Sequence, residues 1–253
     1  MADSLSRYQS MRNFRETPEP KGKVAKRKGQ SFVIQKHDAT RLHYDFRLEL
    51  DGVLVSWAVT RGPSLNPADK RLAVRTEDHP LQYGKFEGII PSGYGEGTVI
   101  LWDNGSWEPE EDPREGLKKG SLKFTLHGQR LKGSWALVRL KPRPGESRER
   151  ENWLLIKHRD KYASETVVAV EKWNKSVESK RTVEQMARAT DAKTYRRAAT
   201  RATKAKAKTA SEEDAKLPKR APTFVAPQLA QLQDAPPAGD EWLHEIKFDG
   251  YRI

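Results

Sequence analysis

Residues 42–50 read Leu-His-Tyr-Asp-Phe-Arg-Leu-Glu-Leu, nine positions in which apolar and polar side chains alternate without a break. Successive side chains point to opposite faces only in an extended strand, so this period of two excludes a helix here. It sets Leu42, Tyr44, Phe46, Leu48 and Leu50 on one face and His43, Asp45, Arg47 and Glu49 on the other. Segments rich in β-branched and aromatic residues recur around it, at 31–37, 53–60, 71–77, 98–102, 121–126, 132–140 and 153–158. Asp51-Gly52 predicts a tight hairpin after the alternating strand, and Asn104-Gly105 predicts another after Trp102. No 3.6-residue periodicity competes within this stretch. Many short antiparallel strands without intervening helices give a mainly β fold, and closure into a small barrel is expected because it leaves no open edge.

The polar face of the alternating strand carries unusual chemistry. Same-face neighbours on a strand lie roughly 6.5–7 Å apart, close enough for His43 and Asp45 to lean onto one ion. Residues 38–41 turn the chain back, which sets His37 beside His43 across a hairpin. Two imidazoles and a carboxylate, in a chain without cysteine, suit a borderline divalent ion such as Mn²⁺, Zn²⁺, Fe²⁺ or Co²⁺. Arg47, next on the face, is placed to hold an anionic oxygen bound to that ion. The facial triad of iron oxygenases uses the same residue types, but with a His-x-Asp/Glu order and a distant second histidine, whereas both histidines here precede Asp45. A polar strand face that binds nothing is the plain alternative.

Further on, Glu77, His79 and Tyr83 fall at one strand end and its loop. Histidine suits proton transfer near neutral pH or donation to a phosphate; a histidine before proline is also commonly structural. The glycine-dense segment 86–98 lacks a Gly-Lys-Ser/Thr ending, so it is not a Walker loop, and tight turns account for it.

Charge narrows the partner. Lys and Arg number 47 against 35 Asp and Glu, a net +12, which favours a polyanion: nucleic acid first, an anionic membrane surface second. No apolar run is long enough to span a membrane, and the N-terminus lacks a signal-peptide core, so a soluble cytoplasmic protein is expected. Composition divides the chain into a polar N-terminal arm (1–30), the strand-rich region (31–163), a basic linker (164–222) and a final segment (223–253). Between Lys193 and Lys208 stand seven basic and no acidic residues, a run that repels itself and stays solvated.

These pieces together resemble the phosphoesterase module of bacterial DNA ligase D, of nonhomologous end joining. The resemblance runs in order from residue 8 to about 163. It includes Arg12-Asn13-Phe14 with Thr17-Pro18-Glu19, Phe32-Val33-Ile34-Gln35-Lys36-His37, the alternating strand, Trp57-Ala58-Val59, Glu77-Asp78-His79-Pro80, the glycine segment, Trp102-Asp103-Asn104-Gly105 and Trp153-Leu154-Leu155-Ile156-Lys157. It implies a small β-barrel with flanking short helices and an active-site Mn²⁺, with Co²⁺ or Zn²⁺ as substitutes. His37, His43 and Asp45 match the metal ligands; Arg47 and His79 match the phosphate-binding and catalytic pair, and Tyr83 a supporting active-site residue. Arg12, Glu19, Arg61, Arg71 and Glu77 match positions around the scissile phosphate or the 3′ end, and the arm contributes to the site. Asn13 and Arg61 depart from the family, which commonly has Asp and Lys there.

The implied activity is stepwise. A 3′-terminal ribonucleoside is removed from a primer–template to leave a 3′-phosphate, which is then hydrolysed to a 3′-hydroxyl. DNA 3′ ends are the implied partner, with the polymerase and ligase modules of ligase D and the end-binding protein Ku. A non-catalytic DNA-end adaptor on the same barrel is the alternative. Separately, Glu241 to Arg252 resembles the entry to an ATP-dependent ligase domain, whose Lys-x-Asp-Gly motif makes Lys247 the nucleotidyl lysine. The chain is then read as a truncated ligase D without sealing activity.

Overall fold

In the computed structural model the described residues are 5–26, 29–142, 151–189 and 193–194. Their strands are β1 Ser31–Asp38, β2 Leu42–Leu50, β3 Val53–Val59, β4 Arg71–Arg75, β5 His79–Pro80, β6 Gly88–Ile90, β7 Gly97–Pro109, β8 Ser121–Gly128, β9 Lys132–Arg139, β10 Asn152–Lys157 and β11 Lys193–Thr194. Four short helices accompany them: α1 Ser6–Ser10, α2 Pro113–Lys119, α3 Ala169–Lys172 and α4 Val183–Arg188, with one 3₁₀ turn at Leu81–Lys85. The hydrogen-bonded order β1-β2-β3-β4-β10-β9-β8-β7 returns to β1, because β7 pairs with β1 antiparallel. Eight strands thus close the expected antiparallel barrel.

The apolar face of β2 turns inward. Tyr44, Phe46 and Leu48 pack there with Phe32, Ile34, Trp57, Phe124, Trp135 and Trp153 in one contiguous core. Five tryptophans are essentially inaccessible to solvent, and a barrel of this size is filled by side chains rather than hollow. The polar face of β2 points outward but is buried too. Asp45, Arg47 and Glu49 are each at most 7% exposed, covered by a second layer containing Tyr8, Leu54, Tyr83, Phe86 and Ile90. Glu49 belongs to the frame of this layer, accepting from Ser31 Oγ and N–H.

Asp51 and Gly52 both adopt positive φ, 52° and 81°, the pair of left-handed residues that a type I′ hairpin requires. Asn104-Gly105 behaves otherwise. The expected turn is absent and β7 runs straight through it. The strand instead bends at a bulge: Ile34 pairs with Asp103 and Gln35 with Leu101, leaving Trp102 without a partner. Gly105 is needed for contact rather than turning, since a Cβ there would lie 2.2 Å from His127 O.

Residues 164–189, grouped by composition with a basic linker, pack on the barrel. Trp173 O accepts from Trp102 Nε1, and Val177 N–H bonds Leu101 O. Val183 and Met186 of α4 bury against Ile100. The apolar residues spaced among the charges pin this stretch, a signal that mean composition conceals. Lys193 and Thr194 pair parallel with Gly88 and Ile89. Most of the basic run and all of 223–253, Lys247 included, lie outside the described residues. No helix of the described residues is long and apolar enough to cross a membrane.

Candidate active site

The β1–β2 hairpin builds the centre of the site. Its register sets His37 directly opposite His43 and Gln35 opposite Asp45, and the two imidazole centroids lie 4.8 Å apart. His37 Nδ1 is 3.6 Å and His43 Nε2 3.7 Å from the oxygens of Asp45. One ligand atom from each residue falls within 4.8 Å of the others.

The remaining ring nitrogens face backbone carbonyls. His37 Nε2 lies 2.9 Å from Gly95 O and His43 Nδ1 2.8 Å from Arg41 O. A backbone carbonyl only accepts, so each of these nitrogens carries the hydrogen. His37 Nδ1 and His43 Nε2 are the nitrogens on the side of the Asp45 carboxylate, and once deprotonated each offers a lone pair there. This is the outer-sphere arrangement found around metal-binding histidines. Burial would raise the Asp45 carboxyl, but Arg47 and the two histidines outweigh it and hold the group far below the usual carboxylate range. A carboxylate oxygen and two imidazole nitrogens are a donor set that fits a divalent cation.

Arg47 joins this centre to His79. Its Nη2 lies 3.1 Å from Asp45 Oδ2, its Nε donates to Gln35 Oε1 at 2.8 Å, and its Nη1 contacts Ser56 Oγ at 2.9 Å and His79 Nδ1 at 2.8 Å. The guanidinium plane sits 4.9 Å from the Tyr83 ring centre. His79 is positioned by the two-residue β5, which pairs it with Leu54 of β3. Its Nδ1 lies between Arg47 Nη1 and Glu77 O, 2.9 Å from the latter. Burial first, then Arg47 and Arg12, push the His79 imidazole well below its ordinary value.

The N-terminal arm closes the far wall. Arg12 Nε donates to Glu19 at 2.8 Å and Nη1 to Glu77 Oε1 at 3.0 Å, while Nη2 reaches 3.3 Å from His79 Nε2. Its guanidinium stacks 4.0 Å from the Tyr8 ring centre, and Tyr8 OH donates to Pro20 O. Thr17 Oγ1 donates to Glu19 Oε2 at 2.7 Å. The cleft so formed has a volume of about 230 Å³.

The structure therefore brings His37, His43, Asp45, Arg47, Glu77, His79, Tyr83 and Arg12 to one cleft, with Glu19 held behind Arg12. Arg61 and Arg71 do not line it; Arg61 is exposed in the β3–β4 connection, and Arg71 pairs with Asp69 at 2.8 Å. Four contributors escaped the sequence reading: Gln35, Ser56, Tyr94 and the Gly95 carbonyl. Ser56 had a signal, being the one polar residue in Val-Leu-Val-Ser-Trp-Ala-Val, and Gln35 shares the outward parity of His37. Tyr94 and Gly95 had none, since the loop between β6 and β7 places them.

Residues 35–139 match the family model of the DNA ligase D 3′-phosphoesterase domain. The multifunctional non-homologous end joining protein LigD of Pseudomonas aeruginosa is 46% identical over 98% of this chain and 28% of its own length. The multifunctional non-homologous end joining DNA repair protein LigD of Mycobacterium tuberculosis is 50% identical over 55% of this chain and 19% of its own. LigD of Mycolicibacterium smegmatis is 44% identical over 63% and 21%. The chain spans less than a third of the length of these relatives. The alternating strand, both histidines of the hairpin and His79 all fall inside residues 35–139, the segment that matches the DNA ligase D 3′-phosphoesterase domain family.

Proposed function

We propose that this chain is a Mn²⁺-dependent phosphoesterase that heals DNA 3′ ends in bacterial end joining. It hydrolyses the linkage to a 3′-terminal ribonucleoside and then the remaining 3′-phosphate. The observation that carries the reading is the position of Arg47, bonded at once to Asp45 and to His79. One guanidinium bridges a site fit for a divalent ion and a buried imidazole, in a cleft of about 230 Å³.

His37, His43 and Asp45 would hold the ion, which when bound polarises a phosphoryl oxygen as a Lewis acid. Arg47 and Arg12 neutralise the charge of the phosphate and orient it. The same charges keep His79 unprotonated until a phosphate arrives. An anion between the two arginines offsets them, and His79 can then carry a proton to the departing oxygen. In the first step water adds to phosphorus, the bond to the ribonucleoside 5′-oxygen breaks, and that oxygen takes the proton. In the second, the bond to the 3′-oxygen breaks and inorganic phosphate leaves. Tyr83 packs against both Arg47 and His79 and fixes their mutual angle. Arg61, Arg71 and the basic residues beyond the barrel serve sequence-independent affinity for the DNA backbone. By the same reading, the segment with Lys247 begins a ligase module, and Ku and the polymerase module are partners of the larger protein.

The test is a primer–template ending in one ribonucleotide, incubated with Mn²⁺, Co²⁺ or Zn²⁺ or with EDTA and resolved on a sequencing gel. Metal-dependent shortening through a 3′-phosphate to a 3′-hydroxyl is expected. No product with any of the three ions, or equal product in EDTA, refutes the reading.

A further inference from the structure

Two clefts meet at Arg12 and Tyr94. The first contains the hairpin histidines and the Arg47–His79 pair. The second, about 160 Å³, lies on the other side of these two side chains, and its further walls include Asn13, Thr17, Glu19 and Ser92. Its chemistry differs from that of the first. Arg12 is its one cation, and the Arg12 guanidinium is engaged by Glu19 and Glu77. Its other polar groups are the amide of Asn13, the hydroxyls of Thr17 and Ser92 and the carboxylates of Glu16 and Glu19, with Met11 and the Tyr94 ring as apolar surface. A phosphate there would face the carboxylate of Glu19, whereas sugar hydroxyls and base edges would find donors and acceptors.

Tyr94 stands on the wall between them. It is 46% exposed, one of few large apolar side chains so open. It is nevertheless anchored at its tip, where the hydroxyl donates to Glu77 Oε2 at 3.1 Å. The Arg12 guanidinium lies 5.3 Å from its ring centre. Gly93 and Gly95, at φ 86° and 78°, flank it, conformations that favour glycine and that carry the ring out from the barrel. A half-exposed ring held at one end, beside the cleft that contains Arg47 and His79, is the form of a base-stacking platform.

Resting on the phosphoesterase reading, we propose that the second cleft receives the 3′-terminal nucleoside of the strand whose phosphate enters the first, with its base stacked on Tyr94. Glu19 disfavours a strand that continues with another phosphate, so the cleft selects the last linkage.

The test is fluorescence anisotropy at fixed salt, with EDTA present to prevent turnover. Duplexes ending in a 3′-ribonucleoside or in a 3′-phosphate are titrated with wild type, Tyr94→Phe and Tyr94→Ala. Loss of the ring should weaken the ribonucleoside-ended duplex about tenfold relative to the phosphate-ended one, the size of one lost base–aromatic stack. Tyr94→Phe keeps the ring and should keep the difference between ends. Equal weakening of both ends by Tyr94→Ala overturns the proposal, as does an equal effect of Tyr94→Phe, which would mean that the residue acts only through Glu77. This measurement needs no catalysis. Failure of the wild type to hydrolyse either end counts against the phosphoesterase reading alone, and the binding result still decides the role of Tyr94.

Discussion

Arg12 is the charged residue that ties the N-terminal arm to the barrel-borne site, and its removal has a calculable effect. Glu19 and Glu77 are each 5% exposed and both bond its guanidinium. Taking one partner from a buried ion pair costs about 3–5 kcal/mol. The lower figure applies here, because Glu19 retains the Thr17 hydroxyl and Glu77 the Tyr94 hydroxyl. The barrel does not need to unfold to relieve the two carboxylates. The arm can undock instead: Leu5 and Tyr8, buried in the apolar layers, and Ala25 N–H, bonded to Gly52 O of the β2–β3 turn, set its opening free energy in the wild type, and loss of Arg12 lowers it. Local opening free energies appear directly in amide exchange, and about 3 kcal/mol corresponds to a factor of roughly 150. Arg12→Ala should therefore lower protection of peptides spanning residues 5–26 by about two orders of magnitude in hydrogen-exchange mass spectrometry. Peptides from β8 and β9, satisfied by their own ladder, should be unaffected. Adding Glu77→Gln should restore part of the protection by removing one stranded charge. A change of less than about threefold in the arm, or an equal change in β8 and β9, would refute this account of what holds the arm.

Three further outcomes are expected. His37→Ala, His43→Ala and Asp45→Ala should each abolish Mn²⁺ binding by calorimetry and both hydrolytic steps, with the circular dichroism of the barrel retained; a His43→Ala protein that binds Mn²⁺ tightly and turns over at the wild-type rate refutes the ligand assignment. Arg47→Ala and His79→Ala should keep metal binding but lose at least about 100-fold in kcat, the lower range for a general acid or phosphate-binding donor, and equal loss of metal from Arg47→Ala would move that residue into the ligand set. Asp103, fully buried, accepts from the N–H groups of Asn104, Arg130 and Leu131, so Asp103→Ala should cost about 3 kcal/mol in urea unfolding. Burial outweighs those bonds and pushes its carboxyl up to about 6, so the folded state holds the proton more tightly than the unfolded one. Its contribution to stability then falls as pH rises from about 4 through about 6, and a wild-type pH slope in that window that persists unchanged in Asp103→Ala contradicts the assignment.

The sequence by itself determined the strand period, the type I′ turn and the metal candidates, because each is local. Alternation in 42–50 fixes the face of every residue in β2, and the three-residue connection 39–41 of one short hairpin is enough to set His37 against His43. What it misread was also local in form but not in cause. Asn104-Gly105 has the residues of a turn, yet β7 continues because β1 and β8 pair with it on both sides, and those ladders outweigh the preference of two residues. Residues 164–189 read as linker because charge dominates their composition, while a few apolar side chains find grooves on the barrel.

Only the tertiary structure decided that the polar face of β2 is a buried site rather than a wetted surface. Gln35 and Ser56 reach Arg47 from the strands on either side of it, His79 arrives from a segment more than thirty residues away, and Arg12 comes from an arm outside the barrel. No periodicity encodes those meetings. They follow from closure: once eight strands wrap around one apolar core, the outward face of β2 is left beneath whatever chain crosses it, and here that chain carries the counter-charges that make burial of Asp45, Glu77 and Glu19 tolerable.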